Sequence, residues 1–383
     1  MQTLKHLKIK NVLSFGGTSS VIELGSLNLL IGPNGSGKSN LVEVFQFLKN
    51  APRDLAAAVR RSGGIGEWLW KGTKDPVASV EAVVNYDTRL LRYVLEFARS
   101  GPRLEVTGEL IDDAGRPSAA SCGYYVSGPG FAKIQTLDGT LVAAPVDPQR
   151  SVLSQLKDPL QYPELTHVSS VLSNLRIYQN WEFGQTGRAR DVSQADASDG
   201  TLEEDGSNLG IVLNRLLSQP VTGRKLRECL KAFDNEVEDV YTTIKQGTVE
   251  ISVQYRGLQS SIPSTRLSDG MIRWLFLLSV LLDPAPSPLI CIEEPELGMH
   301  PDIIPEVAKL LNEASQRTQL IVTTHSAQLI DEFSDQPEAV LVCEKTTGRT
   351  VMKRYSRHEL GEWLGDYALG QLWRQGHIGG NRW

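Results

Sequence analysis

The sequence predicts an α/β protein with a mostly parallel sheet at its core, an inserted antiparallel β lobe and a helical lobe. Three observations carry this. Near the N-terminus an apolar strand runs through a glycine-rich loop into a helix. Strand and helix patterns alternate between residues 269 and 333, and between Val77 and Val142 the apolar period drops to two. At 383 residues, 40% of them apolar, the chain can bury a sizeable core in roughly two or three lobes.

The first 31 residues read as strands ("LKHLKIKNV", then "LNLLI"), and a helix follows from Ser39 to about Lys49. From Val77 to Val142, segments such as "VASVEAVVNY" and "RLEVTGELI" alternate polar and apolar residues between Gly, Pro and Asp breaks, the pattern of an antiparallel meander. Residues 151–236 have helical periodicity, interrupted by a polar stretch from Gly184 to Gly206 that reads as a mobile loop. After Asp239 strands return ("YTTIKQ", "TVEISVQY"). Helix 269–283, strand 288–293, helix 302–315, strand 318–323 and helix 326–333 come next, then strands near 339–343 and 350–355. The resulting division is a core of 1–75 with 239–355, an antiparallel insertion of 76–150, a helical lobe of 151–238 and an aromatic, glycine-rich tail of 356–383.

Bulk properties exclude several classes. No apolar run nears the roughly 18 residues needed to span a bilayer, and the N-terminus lacks a signal-peptide pattern, so a cytoplasmic protein without a membrane partner is expected. Cys122, Cys229, Cys291 and Cys343 are far apart and read as small core residues rather than metal ligands or disulfides. The formal net charge of −6 leaves any contact with nucleic acid to a local basic patch.

Gly32-Pro33-Asn34-Gly35-Ser36-Gly37-Lys38-Ser39 satisfies G-x-x-x-x-G-K-[ST] between an apolar strand and a helix, the context this phosphate-binding loop requires. Its glycines let backbone N–H groups close around phosphates at a helix N-terminus. Lys38 then neutralises β/γ oxygens, Ser39 ligates Mg²⁺, and Asn40 completes the stretch. The expected ligands are ATP and Mg²⁺. Farther along, "LICIEE" is an apolar strand ending in two carboxylates, which a buried strand does not place there without a cation or proton to manage. Glu293 is expected to hold Mg²⁺ through water, and Glu294 to orient and deprotonate the attacking water. His325, after "QLIVTT", stands at the carboxyl edge of the sheet, where open α/β sheets bind ligands, and is assigned as a γ-phosphate sensor.

The order GPNGSGKS, LSDGM, ICIEEPE, TTHS resembles the ABC-type ATPase head of the RecF, SMC and OLD branch, and within it the bacterial AAA-family ATPases, whose tails are similar to "LGQLWRQGHIGGNRW". The resemblance covers the phosphate loop and residues 262–333. It implies a P-loop fold of the ABC type, ATP hydrolysis, and a homodimer with two ATP sandwiched head to tail. In such heads the LSxG segment meets the nucleotide held by a second head. Ser268 would supply a hydroxyl donor, Gly270 would permit close backbone approach, and the helix N-terminus would face the anion. Alone, the segment is an ordinary Ser N-cap. Two departures stand out: Glu293 where most Walker B strands have Asp, and Met271 where Gln is commoner. A glutamine that senses Mg²⁺ is also implied, with Gln179 as the candidate and Gln155 and Gln161 as competitors.

The absence of heptads excludes long coiled-coil arms, and the roughly 50 residues after Ser334 are too few for a Toprim nuclease domain, so the chain is not expected to cut DNA itself. Two roles remain open. In one, the dimer is a DNA-engaging clamp or sensor in repair or phage defence, through Arg224, Arg227 and Lys231 on one helical face or through Lys353, Arg354 and Arg357. In the other, ATP switches an interface that holds a separate nuclease or toxin, with Trp363, Trp373 and Trp383 as a docking surface.

Overall fold

The computed structural model describes residues 2–74, 76–115, 123–136, 138–179, 181–184, 186–361 and 363–380; Cys122 and Trp383 lie outside this set. The chain opens with β1 (Leu4–Lys10), β2 (Ser20–Glu23) and β3 (Leu27–Ile31), then α1 (Lys38–Asn50), α2 (Leu55–Arg61) and α3 (Ile65–Trp68). Strands β4 (Ala78–Tyr86), β5 (Arg89–Ser100), β6 (Arg103–Asp113), β7 (Tyr125–Gly128), β8 (Phe131–Gln135) and β9 (Leu141–Ala143) form the meander. They share one antiparallel sheet with the first two strands, in the order β2-β1-β4-β5-β6-β7-β8-β9.

The first two strands thus lie in the antiparallel sheet rather than the central one, although the sequence-based division places residues 1–75 in the core. The cause is visible in the burial pattern. Only Leu4, Leu7 and Ile9 of β1 are buried, the half-buried alternation of an antiparallel strand, whereas all five residues of β3 are buried.

After α4 (Val152–Gln155) and α5 (Pro163–Ser173), β10 (Arg176–Tyr178) enters the central sheet. A third sheet follows. It is made of β11 (Ser193–Gln194), β12 (Val237–Lys245), β13 (Thr248–Tyr255) and β14 (Ile262–Pro263), with α6 (Leu209–Ser218) and α7 (Pro220–Phe233) lying between β11 and β12 in the chain. The strands expected after Asp239 therefore pair with one another rather than with the parallel core.

The remaining elements are α8 (Asp269–Leu281), β15 (Leu289–Glu293), α9 (Ile304–Ser315), β16 (Gln319–Thr323), α10 (Ala327–Asp331), β17 (Val340–Thr346), β18 (Arg349–Arg354), α11 (Arg357–Leu360) and α12 (Leu369–Arg374). The central sheet runs β10-β15-β16-β3-β17-β18, parallel except for the last strand. Alternate residues of its strands feed two hydrophobic clusters. Leu29, Ile290, Ile292 and Val322 join α8 and α9 in one, while Leu30, Leu289, Cys291 and Ile321 join α1, α5 and the antiparallel sheet in the other. Cys229, Cys291 and Cys343 are buried, unpaired core residues. No helix among the described residues is long and apolar enough to cross a membrane.

The polar stretch 184–206, expected as a mobile loop, is anchored to the core at a few buried residues. Ala189 and Leu202 are buried, and the buried Arg190 donates to the carbonyls of Phe183 (2.6 Å), Ser264 (3.2 Å) and Leu267 (2.5 Å) and to the Asp269 carboxylate. One side chain thereby ties this stretch to the turn that starts α8. The tail is also partly core: Leu372, Trp373 and Ile378 are buried, whereas Trp363 is exposed and stacks on His377. Trp373 Nε1 donates to the carbonyl of Gly380 (2.8 Å), whose own N–H donates to Glu344 (2.7 Å). A Cβ on Gly380 would stand 3.6 Å from the Cα of Gly32.

Candidate functional site

The phosphate loop is shaped by close approach. Gly32 has φ 147° and Gly37 has φ 108°, and a Cβ at these positions would fall 2.2 Å from the Cys343 carbonyl oxygen and 2.1 Å from Thr350 Oγ1. Thr350 also donates to the Ser36 carbonyl (2.8 Å) and shares a hydrogen bond with Ser14, which accepts from the Asn40 amide (2.6 Å). β18 thus backs the loop from behind. The Lys38 ammonium donates to the carbonyls of Gly32 (2.6 Å) and Pro33 (3.1 Å). Burial pulls its pKa below the ordinary lysine value, against the opposing influence of Cys343, Glu294 and Glu293. The buried Ser36 hydroxyl has no hydrogen-bond partner among the described residues.

β15 delivers two carboxylates to the same place. Burial, then the neighbouring Glu294, pushes the Glu293 pKa up, while the Ser39 hydroxyl acts against them. Glu294 is left-handed, at φ 45°, an uncommon conformation for a residue with a long side chain, and its N–H donates to the Thr323 carbonyl (2.9 Å) of the adjacent strand. His325 Nε2 lies 3.7 Å from Glu294 Oε1. Burial lowers the His325 pKa, with Lys38 acting in the same direction, which favours the neutral imidazole at neutral pH.

These groups line a single cleft of about 390 Å³, bounded by Asn34, Gly35, Gly37, Lys38, Ser39, Asn40, Glu293, Glu294 and His325, with Trp181, Arg273, Leu297 and Thr323 completing it. Gly32 and Pro33 contribute through the carbonyls that hold Lys38. Gln179 directly follows β10, whose Tyr178 is paired with Ile292, so it is level with Glu293. It lines a neighbouring cavity of about 450 Å³ that shares the Trp181 wall. Gln155 is engaged elsewhere, its amide bonded to Asp147 and Arg150, and Gln161 lies in the Asp158 turn. Ser268 and Gly270 are outside the cleft. Ser268 caps α8, its hydroxyl accepting from Met271 N (3.1 Å), and remains exposed.

Sequence reasoning missed three residues. Trp181 donates from Nε1 to the Glu293 carbonyl. Glu296 accepts from the Thr324 hydroxyl and the His325 N–H (3.2 Å), bracing the histidine's backbone, while its second oxygen is buried without a partner among the described residues. Arg273, buried on α8, reaches the cleft wall. A signal for the last was present, since a lone cation inside "IRWLFLLSVLL" needs a reason to be buried.

The sequence family described as "AAA domain, putative AbiEii toxin, Type IV TA system" matches residues 27–115 and 173–331, more than half of the chain. The chain belongs to this AAA-domain family. Its fold is that of the P-loop, ABC-type ATPase heads. A solved SMC head bound to the C-winged helix domain of ScpA superposes with a TM-score of 0.60 at 14% identity, over 94% of this chain and 99% of that one. An ATP/GTP phosphatase of Helicobacter pylori is 21% identical over 87% of this chain and 88% of its own length. The DNA double-strand break repair Rad50 ATPase of Sulfolobus acidocaldarius is 32% identical over 111 residues, 28% of this chain but 12% of that protein. The AAA-domain match takes in both the phosphate loop and the Glu293–Glu294 strand end.

Proposed function

We propose that the chain binds ATP with Mg²⁺, hydrolyses it, and pairs head to tail with a second copy around two nucleotides. One observation supports the chemistry above all: Lys38, Ser39, Glu293, Glu294 and His325, from three separate stretches of sequence, meet in one cleft. The site also fits a phosphate chain, because Gly32 and Gly37 let the loop lie so close to β17 and β18 that a Cβ at either would collide with Cys343 or Thr350. Ser39 and Glu293, which line the cleft together, would hold Mg²⁺, which supplies charge neutralisation at the β and γ oxygens.

The residues then divide the work. Lys38 exchanges its two carbonyl partners for phosphate oxygens. Glu294, set by its left-handed backbone and the Thr323 hydrogen bond, orients the attacking water and takes its proton. His325, braced through Glu296, contacts the terminal phosphate beside it. Gln179 reaches the metal side from β10, a role supported by its level with Glu293 and by the local engagement of its two competitors.

Pairing of heads is supported by the exposed Ser268 and by Gly270, which has room for a side chain within this chain. The test is sedimentation of the Glu294→Gln protein with and without ATP and Mg²⁺. A monomer becoming a dimer only with nucleotide is expected; a nucleotide-bound monomer removes the pairing.

For the target, the first reading is a DNA-engaging clamp. Arg224 and Lys231 are exposed on α7, although Arg227 is engaged by Asp239 (2.7 Å). The second basic group is weaker than its sequence suggests, because Arg354 spends its donors on Glu338, Glu23 and Asn28. The second reading, an ATP-gated hold on a separate toxin or nuclease, is favoured by the toxin–antitoxin wording of the family description and by the exposed Trp363 and Tyr367. Salt separates them: DNA binding should weaken steeply between about 50 and 200 mM salt, and docking on aromatic rings should not.

A further inference from the structure

We infer that Arg273 reads the terminal phosphate of the nucleotide from within the same chain and makes the site prefer a triphosphate to a diphosphate. The inference rests on the ATP-binding reading above. Arg273 is 9% exposed. Its guanidinium lies 5.1 Å from the centre of the Trp181 ring and 5.3 Å from that of Phe183, and Nη1 donates to the Leu297 carbonyl. No other hydrogen bond and no ion pair engages it among the described residues.

That is an anomaly in this molecule. The buried Arg190 pairs with Asp269, the half-buried Arg92 and Arg215 pair with Asp112 and Asp283, and Arg354 compensates with three oxygen acceptors. Removing a guanidinium from water without a counter-charge is costly, and a chain keeps one there when a ligand anion completes it. Arg273 lines the same cleft as Lys38, Ser39 and Glu294, so the anion it would meet is the nucleotide's. Of the acids around it, Glu294 acts on it most strongly. Because Glu294 has to stand at the γ-phosphorus to serve the attacking water, Arg273 faces the terminal phosphate. A planar fork held by two rings suits phosphate oxygens and needs little reorganisation as charge shifts during transfer.

The test compares ATP and ADP. Affinities for both are measured by calorimetry in the Glu294→Gln background, where ATP persists, for Arg273→Met and Arg273→Lys, and turnover is measured in chains that keep Glu294. Arg273→Met is expected to weaken ATP on the order of tenfold while changing ADP by less than about twofold. Turnover should fall about 10²-fold. Arg273→Lys should recover part of the ATP-over-ADP preference, which a packing role would not produce. Equal losses for the two nucleotides, or unchanged preference and turnover, would show that Arg273 only packs. If Arg273→Met does not fold, the ATP-to-ADP ratio of Arg273→Lys decides alone. A parent chain that binds neither nucleotide, or a Lys38→Ala chain that binds like the parent, brings down the ATP reading itself, and the role of Arg273 with it.

Discussion

The phosphate loop and the Ser268 segment are both short, both carry glycine and both start a helix, yet the chain constrains them differently. A Cβ on Gly32 would overlap a backbone carbonyl at 2.2 Å, and the position has positive φ. Gly270 lies in the first turn of α8, where an added Cβ would find nothing nearer than Phe233 Cζ at 3.6 Å. The interior of the chain demands the first glycine and not the second. Since glycine costs a helix up to about 1 kcal/mol relative to alanine, Gly270 is retained at some loss of stability, and a body approaching from outside would explain it.

Mutations can break this contrast, beginning with the loop. Lys38→Ala should abolish nucleotide binding in calorimetry, since no other residue of the loop carries charge to the phosphates; retained micromolar binding would place the nucleotide elsewhere. Glu294→Gln should keep ATP bound while lowering phosphate release about 10²-fold or more, and a near-normal rate would mean the base is another group. Ser268→Asp keeps a good N-cap for α8 but turns a carboxylate toward any incoming phosphate. It should leave nucleotide affinity intact and suppress ATP-dependent association about tenfold or more; unchanged association would leave the segment as a cap and nothing else. The subtlest comparison is thermal. Gly32→Ala should destabilise the fold by about 3 kcal/mol, whereas Gly270→Ala should be neutral or stabilising by up to about 1 kcal/mol while still weakening association. A Gly270→Ala protein that pairs normally would remove the reason offered for that glycine.

The site was legible where chemistry dictates spacing. The loop, the paired carboxylates and the Thr-Thr-His-Ser corner each have a local signature, and β3, β15 and β16 follow from uninterrupted apolar runs. What local sequence does not encode is pairing between distant segments. Nothing within Leu4–Lys10 says that its neighbour is β4, 70 residues on. Nothing in the polar stretch 184–206 announces that Arg190 will be buried under three carbonyls supplied from elsewhere. Glu294's left-handed backbone is similarly invisible, because glutamate has no preference for it and the hydrogen bond to Thr323 imposes it from the next strand. The isolated cation of α8 was the one tertiary feature that the sequence did advertise.

The seating of Gly380 beside Gly32 has a practical side. A fluorescent label attached through this stretch would sit beside the phosphate loop. Reporters of nucleotide occupancy are well placed there, and handles meant to leave catalysis undisturbed belong far from it.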